Sequence, residues 1–483
     1  MGPSCDFTVS LINEEVVTSV LPMQERWLPL SNLDLLLPPL NVGVFFCYKN
    51  CTKTNFGSMV RSLKKGLAQA LVSYYALAGE VVVNSIGEPE LLCNNRGVNF
   101  VEAVADIELQ CLNFYNPDHT FQGKLVPEKK HGVLAVQATW LKCGGVVVAC
   151  TFDHRIADAY SANMFLVSWA EMARPIKPAS TLNSPPCFRR SLLSPRRRSI
   201  HPSIDNMYIP ISNISPPPSI TTDATVILSR IYYVMAEDLH FMQSLATNNG
   251  TAKRTKLESF SAFLWKMVAR AASIEKNGKR VIAKMGIVVD GRKCLSLSNC
   301  GDNKGKNELM GCYFGNVLSI PFGEKPVDEL VEKPLWWVAD EVHEFLATAA
   351  TEEHFLGLID WVEAHRPVPG LARIYCGGSD EGPTFVVSSG QRFPQEKVDF
   401  GWGKAVFGSY HFPWDGEAGY VMPMPSPVRN GDWVVYMHLE EGLLEIIECE
   451  AAHVFKPLTW DYLTKWDGDH LSQLGVPNPV PVN

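Results

Sequence analysis

The apolar residues of this 483-residue chain change their spacing repeatedly, and this alternation is what most restricts the fold. Between Met59 and Tyr75 they recur every three or four residues, which predicts an amphipathic helix that Gly79 ends. Two continuous apolar runs, residues 133–141 and 146–152, flank a Gly-Gly turn and predict a β-hairpin. Mixing of the two periods predicts an α/β or mixed α+β fold.

A stretch rich in proline, serine and arginine divides the chain into two halves of similar size. We expect residues 176–225 to form a crossover linker between an N-terminal domain, residues 1–175, and a C-terminal domain, residues 226–483. Basic residues inside such a segment are typical of a solvated linker. These are Arg189, Arg190, Arg196, Arg197 and Arg198.

Composition narrows the class of protein. An apolar fraction of 46% is typical of a packed globular chain, and a formal net charge of −8 argues against a nucleic-acid-binding surface over the whole chain. The 13 cysteines are odd in number and scattered, which predicts free, mostly buried thiols in a reducing compartment. No stretch approaches the ~20 apolar residues of a membrane helix, and the first residues do not resemble a secretory signal. We therefore expect a cytoplasmic protein without a membrane partner, and no histidine or cysteine spacing indicates a metal site.

A histidine and an aspartate, His154 and Asp158, stand four residues apart where a predicted strand gives way to a predicted helix. An imidazole at the rim of a sheet can act as a general base near neutral pH. A structural role fits the same residues, because Asp158 precedes a helix as an N-cap would and His154 could be a buried, hydrogen-bonded histidine. The pattern alone leaves both interpretations open.

Two motifs occur in order, HxxxD at residues 154–158 and DFGWG at residues 399–403, about 240 residues apart. With them the chain resembles the BAHD family of plant acyl-CoA-dependent acyltransferases along nearly its whole length. Shorter landmarks of that family match at residues 30–35, 75–79, 289–292 and 313–316. The resemblance implies two domains of chloramphenicol-acetyltransferase-like topology with a solvent tunnel between them.

The resemblance also implies a mechanism for a monomer that holds no bound cofactor and uses acyl-CoA as a co-substrate. CoA would enter the tunnel from one face and an acceptor alcohol from the other, and His154 would take the proton of the acceptor hydroxyl without an acyl-enzyme. Asp158 would pair with Arg292 and hold the loop. The DFGWG motif would support the domain interface and the CoA channel through Asp399, Gly401, Trp402 and Gly403.

The residues before DFGWG bear on the acceptor. Family members that act on shikimate or quinate carry Thr-Ser-Trp, where this chain has Ser388 and, two residues later, Gly390. Loss of the indole argues against a shikimate-type acceptor and predicts room for a flatter, bulkier one, while Ser388 keeps a hydroxyl for the tetrahedral intermediate. Residues 157–167 and 419–427 resemble family members that acylate coniferyl alcohol, which implies acetyl transfer from acetyl-CoA to its allylic hydroxyl.

Substrate contacts can be assigned only coarsely from the sequence. An apolar acceptor pocket would be lined by Leu36, Pro39, Phe45, Gly390 and Phe400. Each of these residues also fits plain core. The phosphates of CoA would be met at the start of a helix by Lys253, Arg254 and Lys256. A solvated basic turn is the alternative there.

Two further functions stay open. One is the same chemistry on a sterol, terpenoid or aliphatic alcohol, or with a longer acyl-CoA. The other is a catalytically silent relative that binds a metabolite.

Overall fold

Two large β-sheets organise the chain. The computed structural model describes residues 6–50, 54–174, 185–198, 201–213, 226–247, 252–275, 281–296, 308–376, 382–414, 416, 418–428 and 431–465, and every structural statement below concerns these residues. The strands are β1 Val9–Val17, β2 Arg26–Pro29, β3 Asn41–Tyr48, β4 Glu80–Val83, β5 Pro89–Cys93, β6 Val98–Ala105, β7 Leu134–Leu141, β8 Val146–Asp153, β9 Tyr208–Pro210, β10 Ile227–Val234, β11 Ile282–Asp290, β12 Leu318–Ser319, β13 Phe322–Pro326, β14 Gly370–Ala372, β15 Thr384–Ser388, β16 Phe407–His411, β17 Gly419–Pro425, β18 Trp433–Glu440 and β19 Lys456–Pro457.

Helices cover and connect these sheets. They are α1 Phe56–Ser73, α2 Pro117–Thr120, α3 Ala159–Ala173, α4 Pro202–Asp205, α5 Ala236–Leu245, α6 Lys256–Glu275, α7 Arg292–Ser296, α8 Val327–Glu332, α9 Leu335–Ala349, α10 Glu352–His365, α11 Glu441–Glu450 and α12 Trp460–Thr464. Short 3-10 turns lie at Asp34–Leu36, Tyr75–Ala78, Leu109–Cys111, Arg190–Leu193, Ile211–Asn213 and Arg373–Tyr375. The mixed α/β class expected from the apolar spacing is confirmed. Among the helices of the described ranges, none is long and apolar enough to span a membrane.

The first sheet has six strands in the order β1-β6-β7-β8-β3-β16. The predicted hairpin is present as β7 and β8, which pair antiparallel and leave the end of β8 at the rim of the sheet. Helices α1 and α3 pack together beside this sheet, and each begins at a capped residue. Asn55 accepts a hydrogen bond from the Ser58 amide, and Asp158 accepts one from the Ser161 amide, which satisfies amides that a helix start leaves unpaired.

The second sheet runs in the order β12-β11-β15-β17-β18-β10-β19, with β13 also paired to β11. Helix α6 carries the fully buried Phe260 and Trp265 into a core of its own on this half. The two halves are not separate, because β16 from the second half pairs antiparallel with β3 and completes the first sheet. The domain bounds given above remain a prediction, and residues 1–175 do not form the first sheet alone.

The crossover region departs from the expected solvated linker where it is described. Arg190 lies 3.7 Å from the buried Asp34 and donates to Phe314 O at 2.7 Å. Arg196 pairs with Asp360 at 3.0 Å. The prediction that these two arginines are solvated is therefore wrong, because each neutralises a carboxylate that burial would otherwise leave unpaired. Arg189, Arg197 and Arg198 are exposed, as expected.

The cysteines of the described ranges are free thiols, as expected. Among these described cysteines only Cys47, Cys93 and Cys150 are buried, so the expectation of mostly buried thiols is wrong for them. Burial raises the pKa of Cys93 to about 11, since an apolar surrounding disfavours the thiolate. Within the same residues no group of histidine, cysteine and carboxylate side chains is arranged to hold a metal ion.

Candidate active site

His154 follows the last residue of β8, and its backbone is held on both sides. Its amide donates to Leu40 O at 2.8 Å, and its carbonyl accepts from Asn316 Nδ2 at 2.9 Å. The imidazole meets the Phe412 ring edge-on at 6.2 Å between centroids, and its Nδ1 is buried with no hydrogen-bond partner in the described part of the chain. His154 as a whole residue is only partly buried, while its backbone is held in place.

Asp158 is fully buried and has two roles at once. Its Oδ1 accepts from the Ser161 amide at 2.9 Å as the N-cap of α3. The same carboxylate forms an ion pair with Arg292, with Oδ2 2.7 Å from Nη1. Both expectations for this residue, the cap and the ion pair, therefore describe the same carboxylate, which contacts Arg292 and the Ser161 amide of the helix.

Arg292 ties the second half of the chain to this carboxylate. Its guanidinium also donates to Gly315 O at 2.9 Å and to Asp290 Oδ1 at 3.1 Å. Burial alone would lower the pKa of Arg292, but the carboxylates of Asp158 and Asp290 raise it above its ordinary value. The arginine stays charged at every accessible pH, so the ion pair does not depend on pH through this partner.

Four aromatic side chains of the second half form what we call the aromatic wall, Tyr375, Phe412, Trp414 and Tyr420. Phe412, which contacts His154, meets Tyr420 edge-on at 5.2 Å, and Trp414 meets Tyr375 at 5.2 Å. Burial raises the pKa of Tyr420, and the nearby Ser388 side chain opposes this shift. Sequence reasoning missed the wall, since its members come from three separate segments and no spacing links them.

The DFGWG motif forms a turn docked on the first half. Asp399 Oδ1 accepts from the amides of Gly401 at 2.8 Å and Gly403 at 3.0 Å, and these glycines have φ of +100° and +113°. Such positive φ values favour glycine over residues with a Cβ. Phe400 packs edge-on against Trp169 at 4.9 Å, and Arg174 donates to Asp399 O at 2.7 Å. The motif therefore contributes packing between the halves.

A sequence model described as Transferase family matches residues 7–454. The chain belongs to this family, the BAHD acyltransferases. Its enzymatic class is therefore acyl-CoA-dependent acyl transfer, with acyl-CoA as a co-substrate and a small molecule as acceptor. His154 and Asp158 occupy the HxxxD motif of the family, and their catalytic assignment remains a prediction.

The chain is similar to curated acyltransferases over most of its length, and it shares its fold with solved structures. Shikimate O-hydroxycinnamoyltransferase of Nicotiana tabacum is 25% identical over 439 residues, which cover 88% of this chain and 95% of the relative. (Z)-3-hexen-1-ol acetyltransferase of Arabidopsis thaliana is 27% identical, covering 88% of this chain and 92% of the relative. Vinorine synthase has a TM-score of 0.69 at 20% identity over 93% of this chain and 99% of its own. TRI101 of F. graminearum, complexed with Coenzyme A and deoxynivalenol, has a TM-score of 0.70 at 14% identity, covering 89% and 99%.

The acceptor-pocket residues predicted for this BAHD acyltransferase have mixed surroundings. Phe45 is fully buried and stacks on Phe121 at 3.8 Å, and Phe400 is buried beside Trp169, so both rings belong to one hydrophobic core. Leu36 is buried and Pro39 is exposed. The pocket roles of Leu36 and Pro39 stay predictions.

The predicted opening at Gly390 is wrong. A Cβ placed there would lie 2.5 Å from Met424 Cγ and 2.9 Å from Met422 Cγ, so these methionines fill the space that the missing indole was expected to leave. Methionine adapts its shape to such gaps. Both methionines come from β17, and the sequence around Gly390 contains no sign of them.

The three basic residues predicted to contact CoA differ in their solvent exposure and in their ion pairing. Arg254 is mostly buried and pairs with Asp340 at 2.7 Å. The Glu258 carboxylate accepts from the Thr255 amide at 2.7 Å, so the start of α6 already has an anion. Lys253 is exposed and Lys256 is partly exposed. A phosphate contact is therefore better supported for the two lysines than for Arg254.

The structure adds three residues that sequence reasoning gave no role: Asp34, Arg190 and Asn316. Asp34 is fully buried, and its Oδ1 accepts from the amide and the side chain of Asn316. One signal was available, since a charged residue inside the apolar run at 33–37 needs a partner when it is buried. The family landmarks at residues 30–35 and 313–316 contain Asp34 and Asn316, respectively.

Proposed function

We propose that this acyltransferase transfers an acetyl group from acetyl-CoA to the allylic hydroxyl of coniferyl alcohol or a related monolignol. The observation that carries the proposal is the aromatic wall beside His154. A flat phenyl ring packs well against aromatic side chains, and an apolar pocket needs only a few polar groups to orient its ligand. The Ser388–Tyr420 hydroxyl pair supplies such groups next to the wall.

His154 is the proposed general base. Its imidazole takes the proton of the allylic hydroxyl while that oxygen attacks the thioester carbonyl, forming a tetrahedral intermediate whose oxyanion Ser388 contacts. When the intermediate collapses, the C–S bond breaks and the CoA thiolate takes the proton from the imidazolium. The products are the acetate ester and CoA, so neither an acyl-enzyme nor an added cofactor is needed.

The choice of donor and acceptor rests on likeness. One relative is named a (Z)-3-hexen-1-ol acetyltransferase, which supports an acetyl donor. Several others are named for hydroxycinnamoyl or benzoyl transfer, so the family handles both small and aromatic acyl groups. Within the proposal the enzyme acts as a cytoplasmic monomer, with CoA reaching His154 through a tunnel between the two halves. Lys253 and Lys256 contact the CoA phosphates at one mouth of that tunnel.

Release of CoA from acetyl-CoA, followed with a thiol reagent, tests the proposal. The alcohols supplied one at a time are coniferyl alcohol, shikimate, a terpenoid, a sterol and (Z)-3-hexen-1-ol. We expect the highest kcat/KM with coniferyl alcohol. A higher value with an aliphatic, terpenoid or sterol alcohol would refute the acceptor while keeping the chemistry. Binding of acetyl-CoA with no release for any alcohol would indicate a catalytically silent relative.

Replacing His154 with alanine tests the base. We expect kcat to fall ~10²–10⁴-fold, since proton transfer in the transition state contributes about that much. The matched control is His343→Ala, which removes a half-exposed imidazole bonded to Glu258 and should leave kcat unchanged. Full activity of His154→Ala would refute the mechanism.

A further inference from the structure

Asn316 holds the backbone of His154 through its side-chain amide. Asn316 Nδ2 lies 2.9 Å from His154 O, 3.1 Å from Arg155 O and 2.9 Å from Asp34 Oδ1. Asn316 is fully buried, so these oxygens are its hydrogen-bond acceptors in place of water. The amide therefore spans the two peptide groups that immediately follow the end of β8.

Asp34 fixes the orientation of that amide. Besides Asn316 Nδ2, its Oδ1 accepts from the Asn316 backbone amide at 2.7 Å. Its Oδ2 accepts from the Ser31 amide at 2.8 Å and the Ser31 hydroxyl at 2.7 Å. A fully buried carboxylate with this many donors has one low-energy position, so the Asn316 side chain has one as well.

Arg190, in the crossover region, contacts both Asp34 and the segment that ends in Asn316. Its guanidinium lies 3.7 Å from Asp34 Oδ2 and donates to Phe314 O at 2.7 Å and to the Tyr313 hydroxyl at 2.8 Å. The charge of Asp34 is thereby compensated, and the segment that ends in Asn316 is held in place. Three segments that are distant in sequence, those of Asp34, Arg190 and Asn316, therefore meet next to the His154 backbone.

We propose that Asn316, Asp34 and Arg190 form a positioning unit for His154, separate from the Asp158–Arg292 ion pair. Asn316 is the positioning residue, because it alone of the three contacts the His154 peptide group. A general base must stay within a few tenths of an ångström of the proton it removes, and a displacement of about 1 Å can cost ~10²-fold in rate. The inference rests on the proposed function only through the use of His154 as the base.

Asn316→Ala is the first test. It leaves the His154 and Arg155 carbonyls without this donor, so we expect kcat for acetyl transfer to fall about 10- to 100-fold while KM for acetyl-CoA stays within about twofold. The matched control is Gln137→Ala, which removes another buried amide that donates to a backbone carbonyl, Lys124 O at 2.7 Å. The control should lower the unfolding midpoint by a similar amount and leave kcat unchanged.

Hydrogen exchange gives a readout that does not need turnover. In Asn316→Ala the amides of residues 153–158 should exchange at least about tenfold faster than in the wild type, and in Gln137→Ala they should not. Wild-type exchange in Asn316→Ala would overturn the positioning unit even if no alcohol were a substrate. Unchanged kcat in Asn316→Ala, or an equal loss in Gln137→Ala, would overturn it as well.

Arg190→Lys keeps the test decisive if Asn316→Ala does not fold. Lysine retains a positive charge near Asp34 but loses the planar fork that binds Phe314 O and the Tyr313 hydroxyl. We expect kcat to fall about three- to tenfold and exchange of residues 153–158 to increase. Wild-type values of both quantities would refute the proposal.

Discussion

The two sequence motifs both join the halves of the molecule, but they do so by different physics. At HxxxD the joint is a buried ion pair, since the side chains of Asp158 and Arg292 are 1% and 4% exposed. At DFGWG the ion pair is looser, with Arg174 Nη2 3.6 Å from Asp399 Oδ2 and both side chains partly exposed, although Arg174 Nε also donates to Asp399 O at 2.7 Å. There a tight glycine turn and aromatic packing hold the contact.

The difference matters because a buried charge cannot lose its partner cheaply. Removing one member of a buried pair leaves an ion in a medium that solvates it poorly, whereas water compensates an exposed one. The first joint should therefore be sensitive to single charge changes and the second to changes of backbone conformation.

Arg292→Met and Arg174→Met form the most direct pair. Both variants keep an unbranched apolar side chain and remove the charge. We expect the free energy of unfolding, measured with urea, to fall by about 3–5 kcal/mol for Arg292→Met. For Arg174→Met we expect a loss of at most about 1 kcal/mol. Equal losses would show that the two joints do not differ in kind.

Gly403→Ala probes the turn of the second joint. A Cβ at Gly403 would meet nothing within 4 Å, so the cost of the change is conformational and arises from φ of +113°. We expect a loss of about 1–3 kcal/mol in the free energy of unfolding. The control is Gly57→Ala in α1, where alanine should be neutral or stabilise by up to about 1 kcal/mol. A neutral Gly403→Ala would mean that the turn geometry is not what holds DFGWG.

Acid titration probes buried groups outside both joints, because Arg292 stays charged while two buried histidines must stay neutral. Burial lowers the pKa of His411, on β16, to about 4; the charge of Asp118 opposes this shift and His438 adds to it. Burial also lowers the pKa of His354 to about 4. The unfolded chain binds protons below about pH 6.5 that the folded chain does not, so stability is lost as the pH falls. Between pH 7.5 and 5.5 the free energy of unfolding should decrease by about 1–1.5 kcal/mol per histidine.

His411→Gln checks that titration. It should remove roughly half of the decrease that these two histidines cause, and the double variant with His354→Gln should remove most of it. If the single variant keeps the full pH dependence, another group is responsible.

Local elements of this fold were predictable from the sequence. The β7–β8 hairpin and the helix that begins at Ala159 occur where the sequence predicts them. The helix predicted between Met59 and Tyr75 is also present, but it spans Phe56–Ser73 and ends before Gly79, with a 3-10 turn between. Spacing succeeds here because the pattern of burial along one element is set by the geometry of that element. The position of His154 and Asp158 at a strand-to-helix junction follows from the same information.

Long-range partners were not predictable in this way. Asp34 and Asn316 are 282 residues apart, and no sequence pattern in either segment indicates that the two residues are in contact. The Met422 and Met424 side chains that fill the space at Gly390 come from a different strand, so an opening inferred from a missing indole was wrong. Arg190 was expected in solvent because it lies in a crossover segment rich in proline and serine, yet it compensates a buried carboxylate.

The sequence by itself determined the elements, the two motifs and the chemical class of this acyltransferase. Only the tertiary structure decided which groups surround His154, namely the Asn316 amide behind it and the Phe412 ring beside it. The physical reason is that period and capping act within one segment, whereas a buried polar group is satisfied by whichever segment the fold brings next to it.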